Sequence, residues 1–349
     1  MEQHRLKWIL GFVLLIGLVL ILFPLNIGLG SVSISLSDII KVLSGDIPSK
    51  ASHVSIIHNG RLPHSITAMI AGAGLAVGGL QMQTLFRNPL AEPSILGISS
   101  GAGLGVALVI LFAGKVLGVA VSGYGFFGHM TVVGSAFLGA FLILLLIVFF
   151  AQALRNNTIL LIIGIMLGYA ISSIIGVLKF YGSNDDVKSY VIWGMGSFSN
   201  VTHEHLMVLA PVVIFGLLCS ILLIKPLNVM VLGENYAENL GVNVKRMRLL
   251  ILACTGLLTA AITAFCGPIA FLGLAVPHLT KGLFRTSDLK ILMPAVMLAG
   301  AVLALFCNLI ARMPGADGAL PINLVTGLIG APIVISVIIK RYKLSGTNG

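Results

Sequence analysis

Lys225 to Arg248 reads KPLNVMVLGENYAENLGVNVKRMR. It is a polar interval in a chain of 349 residues, and it lies between two runs apolar enough to cross a membrane. A polar island in that position must face water. Helical spacing predicts a short helix with Leu232, Tyr236, Ala237 and Leu240 on one side, preceded by Gly233 and stopped by Gly241. Glu234 and Glu238 lie one turn apart on a different face. Such a segment is either a solvated connector or a helix that docks on a partner, and its residues alone leave both open.

The rest of the chain sets the frame for that island. Hydrophobic residues make up 58% and charged residues only 9%, where a soluble domain carries about a quarter. The apolar runs are long enough for helices of about 20 residues and lack the alternation of an outer-membrane barrel. The expectation is therefore an all-α, polytopic integral membrane protein forming one transmembrane domain over 1–349. The net charge of +10 does not point to nucleic acid in such a chain; it reflects basic residues held at one membrane face. Cys219, Cys254, Cys266 and Cys307 sit in apolar runs without CxxC spacing and read as small buried hydrophobes, not as metal ligands.

In order, the spans are expected at Trp8 to Gly28, Leu62 to Phe86, Pro93 to Gly114, Thr131 to Leu154, Thr158 to Tyr181 and Leu206 to Ile224. The first is too long for a signal peptide and is read as retained. Between the first two, VSISLSDIIKVLSG can form a short interfacial helix. The interval from Arg248 to Lys281 admits two passes only if both are short, with Gly267 and Pro268 as the break and Lys245, Arg246 and Arg248 snorkelling to lengthen the first. Ile291 to Ala311 and Leu320 to Ile339 complete about ten helices, with both termini on one side.

Charge tests that topology independently. Arg5, Lys7, Arg87, Arg155, Lys225, Lys245, Arg246, Arg248, Lys281, Arg285, Lys290, Lys340, Arg341 and Lys343 fall on the side of the termini, whereas Lys41, Lys50, Arg61, Lys115, Lys188 and Arg312 fall on the other. The imbalance places both termini, and the polar island, in the cytoplasm.

The expected spans contain no acidic residue, which argues against an ion-coupled carrier with a carboxylate at mid-membrane. There is no GxxxxGK(S/T) phosphate loop, so ATP hydrolysis by that route requires a separate subunit. An intramembrane hydrolase would have to use Ser99, Ser100 and His278, but these lie in different spans and no third orienting residue is evident.

RLPHSITAMIAGAGLAVGGLQMQTLFRNPLAEPSILGISSGAG (Arg61 to Gly103), GPIAFLGLAVPHLTKGLF (Gly267 to Phe284) and LPINLVTGLIGAPIVISVIIKR (Leu320 to Arg341) resemble the ABC-importer permeases for ferric siderophores, haem and cobalamin. The motifs occur in that family's order and span nearly the whole chain. The resemblance implies a multi-pass protein of the bacterial inner membrane that works as a homodimer in membrane lipid. It also implies two cytoplasmic ABC ATPase subunits, which carry the ATP and magnesium, and an extracytoplasmic substrate-binding protein. No cofactor is expected on this chain, and a ferric siderophore is the first expectation for the substrate, with cobalamin and haem as alternatives.

The same resemblance assigns residues. Gly233, Glu234, Ala237, Leu240 and Gly241 match the GE..A..LG pattern of the ATPase-coupling element, about 225–248. Arg61 and Arg312 occupy the places where the family presents arginines to carboxylates of the binding protein, and His64 replaces the second arginine of RLPR. Arginine suits that task because its planar fork pairs bidentately with a carboxylate. Gln81, Gln83 and Lys179 are the polar candidates for a translocation pathway; the glutamines are equally able to bond a neighbouring helix, and Lys179 to snorkel. The small residues Gly74 with Gly78, and Gly101 with Gly105, predict close helix crossings.

Overall fold

In the computed structural model, which describes residues 2–30, 32, 34–113, 125–154, 156–312 and 319–346, the first apolar run and the basic residues before it form α1 (Glu2–Gly28). Every regular element among the described residues is helical. Lipid leaves no other open arrangement, because a helix satisfies its own backbone. Lys115 and Arg155, counted on opposite sides above, lie outside the described residues.

After α1 come α2 (Leu36–Ser44) and α3 (Ala51–Ser55), which runs through a π-helical turn (Ile56–Arg61) into α4 (Leu62–Leu85). A 3-10 turn (Pro93–Leu96) leads to α5 (Ile98–Ala107), followed by a π-helical turn (Leu108–Ala113), α6 (Gly125–Ala153), α7 (Asn157–Tyr181), α8 (Asn184–Gly194) and α9 (His203–Leu222). Then follow α10 (Ile224–Leu232), α11 (Glu234–Asn239), α12 (Val244–Cys266), α13 (Leu272–Phe284), α14 (Leu289–Ala311) and α15 (Ile322–Gly346). Among the described residues, 7 helices are long and apolar enough to cross a membrane, and Ile98–Phe112 and Ile322–Ser336 are shorter apolar helices.

Two expectations change. The third span does not begin as α-helix at Pro93, because Gly97 adopts φ 80 between the 3-10 turn and α5. Of the two helices between Asn243 and Arg285 only one is short. α12 is a full 23 residues and ends at Gly267, whose φ of 72 no side chain tolerates easily, whereas α13 has 13. The first pass therefore needs no snorkelling, and Arg248 does not snorkel: it is 4% exposed.

The chain divides into two units. The first contains Met1–Val77, Phe198–Ala210 and Ala270–Gly349. Here α14 packs along α1 and α13. A Cβ on Gly72 would overlap the Gly300 carbonyl oxygen, and one on Gly300 would overlap that of Gly72, so α4 and α14 touch backbone to backbone. This crossing uses Gly72, not the expected Gly74 and Gly78 pair. Asn26 donates to Leu22 and Leu305 carbonyls at 2.9 and 3.0 Å and accepts from Asn308 at 2.8 Å, tying α1 to α14 inside the apolar layer. Interhelical bonds of this kind contribute about 0.6 kcal/mol each in membranes.

The connection from α1 to α4 has its own small core of Ile27, Ile34, Ile39, Val42 and Ile57. α2 is the amphipathic helix expected from VSISLSDIIKVLSG, capped by Ser35 and ended by Gly45 at φ 85. Its Asp38 is buried. Asp38 Oδ1 accepts from the Ser49 N–H at 3.0 Å and the Ser49 hydroxyl at 2.8 Å, while Oδ2 lies 2.9 Å from His53 Nδ1. The Ser49 backbone and hydroxyl bonds, with His53, hold the Asp38 carboxyl below its ordinary range.

The second unit contains Gly78–Ser197 and Pro211–Ile269. α5 packs on α6 as the glycine spacing predicts: a Cβ on Gly101 would press on Gly139 and Ile143, and one on Gly105 would overlap the Ser135 carbonyl. α12 packs against α6, and the Cys254 thiol of α12 donates to the Gly216 carbonyl of α9 at 3.2 Å. Cys254, Cys266 and Cys307 are buried and Cys219 is half-buried, as expected of small apolar side chains.

Candidate functional site

The polar island folds as two short helices broken at Gly233. Its φ of 135 and ψ of 145 end α10, and a Cβ there would lie 3.0 Å from Arg87 Nη2. α11 begins at Glu234 and stops at Leu240. Gly241, at φ 83, then donates to the Glu238 carbonyl while Val242 donates back to Ala237, so the last turn is closed by a left-handed residue.

The break changes which residues face outward. Leu232, Tyr236 and Leu240 are 66%, 51% and 57% exposed, but Ala237 is fully buried. The single apolar side expected from helical spacing is thus divided. Three large side chains form an open face, and Ala237 packs inward, where it cannot enter a partner's cleft.

Glu234 is also turned inward. Both its carboxylate oxygens accept from Arg248 Nη2, at 3.2 and 3.1 Å, and Oε1 accepts from Asn157 Nδ2 at 2.8 Å. Arg248 Nη1 donates to the Leu154 carbonyl at 3.0 Å, and Asn157 Nδ2 to the Leu85 carbonyl at 3.1 Å. Arg87 donates to the Met230 carbonyl at 3.2 Å. A polar cavity of about 370 Å³ opens beside this cluster, lined by residues including Gln152, Asn235, Glu238 and Lys245. Nothing in the sequence pairs Arg248 or Asn157 with Glu234, or Arg87 with the Met230 carbonyl. A basic residue one helix start after GE was visible, but its partner was not.

The proposed docking residues lie in the first unit, and one of them is unavailable. Arg61 is 2% exposed. Its Nη1 donates to the Ile27 and Gly28 carbonyls at 2.8 Å each, and Nη2 donates to the Val32 carbonyl. The guanidinium therefore caps the C-terminus of α1, where a cation also meets the negative end of the helix dipole. The expectation that Arg61 meets a binding protein is corrected by this burial. His64 and Arg312 are half-buried, within electrostatic reach of one another, and His64 also bonds the Ser199 backbone.

The pathway candidates also need revision. Gln81 is completely buried and accepts from the Thr255 hydroxyl at 2.7 Å, bonding α4 to α12. Gln83 is 4% exposed. Of the two roles expected of Gln81, the interhelical bond is the one its side chain makes. Lys179 stays half-buried in the last turn of α7, with Nζ 4.6 Å from the centroid of the Tyr190 ring on α8.

Comparison with known proteins adds three findings. Residues 18–340 match the model of the FecCD transport family. The chain is 34% identical over 287 residues to the Vitamin B12 import system permease proteins BtuC of Salmonella paratyphi A and Salmonella typhimurium, covering 81% of this chain and 83% of each relative. A solved structure described as an inward-facing conformation of a transporter assigned to the metal-chelate ABC type superposes with a TM-score of 0.80 at 30% identity, over 93% of this chain and 97% of that one.

Proposed function

Because the chain belongs to the FecCD transport family, and is thus a multi-pass inner-membrane permease of an ABC importer, we propose that it moves a metal chelate from a binding protein to the cytoplasm as a homodimer on two ATPase subunits. ATP is hydrolysed by those separate subunits. We read the seven long helices, the two shorter apolar helices at Ile98–Phe112 and Ile322–Ser336, and α13 as ten crossings, with both termini and Lys225 to Arg248 in the cytoplasm. The positive-inside imbalance supports that orientation.

The observation that carries the reading is the open face of Leu232, Tyr236 and Leu240 on α10 and α11. Three large apolar side chains exposed on a polar segment between two spans are suited to a groove in a partner. We assign the ATPase to that face, with Gly233 and Gly241 setting its shape and Glu234 and Ala237 supporting it from behind. On the extracytoplasmic side, Arg312 with His64 is the docking pair for the binding protein. Lys179 remains the pathway candidate at the end of α7.

A ferric siderophore is the first reading of the substrate. Cobalamin is the second, favoured by the 34% identity to vitamin B12 permeases. The test is reconstitution of the chain with its ATPase and binding protein in proteoliposomes, followed by ATP-dependent uptake of radiolabelled ferric siderophore and of cobalamin. Uptake of the siderophore supports the first reading and uptake of cobalamin alone supports the second. Absence of ATP-dependent uptake of any metal chelate, with the complex assembled, contradicts both.

A further inference from the structure

One carboxylate gathers four helix ends onto the coupling segment. Glu234 opens α11 and holds Arg248 of α12 through both its oxygens. Arg248 in turn holds the Leu154 carbonyl, just past the end of α6. Asn157, the first residue of α7, divides its amide between Glu234 and the Leu85 carbonyl at the end of α4. A solvated connector has no use for this construction. An ion pair whose arginine is 4% exposed adds little net stability compared with apolar packing, so what it supplies is defined geometry.

The segment's own backbone creates the need. Gly233 and Gly241 flank α11 at φ 135 and 83, and α11 itself has only 6 residues. Glycines in that region bend readily, so a push on Tyr236 or Leu240 would be absorbed at these joints unless α11 were fastened elsewhere. Fastening at its first residue, from behind the exposed face, delivers the push to α4, α6, α7 and α12.

We propose that Arg248 and Asn157 are positioning residues that act through Glu234 to make the coupling segment and these four helix ends move as one body. The proposal rests on the reading of Lys225 to Arg248 as the ATPase-coupling element. The neighbouring cavity, with Lys245 and Gln152 on its wall, offers Glu234 water and other polar groups when the fastening is weakened. Variants of the two positioning residues therefore keep their fold.

The experiment uses the full complex with ATPase and binding protein in proteoliposomes, comparing Arg248→Lys, Asn157→Ala and the double variant. A lysine keeps the charge but cannot bridge the carboxylate and the Leu154 carbonyl with one planar fork. The readout is ATP hydrolysis with and without the binding protein, alongside ATPase retained on the purified permease. Each single variant is expected to retain the ATPase and its basal hydrolysis while losing at least about fivefold of the stimulation by binding protein. The double variant should lose no more than the worse single one, because both act through one carboxylate. Wild-type stimulation in both single variants overturns the proposal, as do multiplying losses in the double variant, or loss of the ATPase from either single variant. A wild-type chain that binds no ATPase removes the coupling reading and the proposal with it.

Discussion

Arg61 donates to the carbonyl of Gly28 at 2.8 Å, across 33 residues of sequence, and so closes the end of the first membrane helix with a side chain from the start of α4. Together with its bonds to Ile27 and Val32, this makes Arg61 a structural cap. Arg61→Ala should leave the buried Ile27 carbonyl without its donor, while the Gly28 carbonyl keeps the Ile34 N–H and Val32 lies at an exposed position, and should lower stability by roughly 1–3 kcal/mol, the cost of one buried group left unsatisfied. Thermal melting in detergent checks this. Affinity of the surviving protein for the binding protein should stay within about twofold, or about 0.4 kcal/mol. Unchanged melting with lost affinity would return Arg61 to the docking role.

Docking should instead depend on Arg312. Arg312→Glu is expected to weaken capture of the loaded binding protein at low salt by at least about tenfold, since a like charge then faces the partner's carboxylate. His64→Arg should strengthen capture. Equal dissociation constants for all three proteins would remove the assignment.

The crossing of α4 and α14 gives a packing test. Gly72→Ala places a methyl against the Gly300 carbonyl and the Ala304 side chain, where backbone must move; it should cost roughly 1–3 kcal/mol. Gly17 is the control, because a methyl added there would meet nothing within 4 Å. Gly17→Ala should leave the melting temperature unchanged or raise it, because alanine is the better helix former. Equal losses at both positions would show that the close approach is not what matters.

Acid should loosen the α1 to α4 connection at Asp38. Its folded value is depressed by the Ser49 and His53 bonds, so the stabilisation is present above the unfolded value of about 3.9 and is lost as pH falls through the folded value. Amide exchange over residues 35–55 should therefore be slower at pH 7 than intrinsic chemistry predicts, with that protection lost as the pH falls below the ordinary carboxylate range. In Asp38→Asn the protection should be weak in both pH ranges. Protection in Asp38→Asn equal to wild type at pH 7 would show that the carboxylate does not hold this connection.

The helices were legible because about 20 apolar residues in a row have few other fates in a membrane protein. The α2 helix and the Gly101 and Gly105 crossing were legible for similar reasons of local period and size. What was not legible depends on partners far apart in sequence. Nothing near Arg61 shows that the carbonyls of Ile27 and Gly28 need a donor, and nothing near Gln81 announces Thr255, 174 residues away. Ala237 was misplaced for a local reason. A helical wheel assumes one continuous helix, and Gly233 at φ 135 divides it, so Tyr236 and Leu240 turn outward while Ala237 turns in.

The central claim is that the face formed by Leu232, Tyr236 and Leu240 carries the ATPase, and the dissociation constant of the ATPase for the reconstituted permease tests it most directly. Tyr236→Asp with Leu240→Asp changes only exposed side chains, so the melting temperature should hold. Affinity for the ATPase should fall by at least about a hundredfold, as expected when the anchors of an apolar contact become charges, and ATP-driven uptake should disappear with it. A double variant that binds the ATPase as tightly as wild type and supports wild-type uptake would contradict the claim.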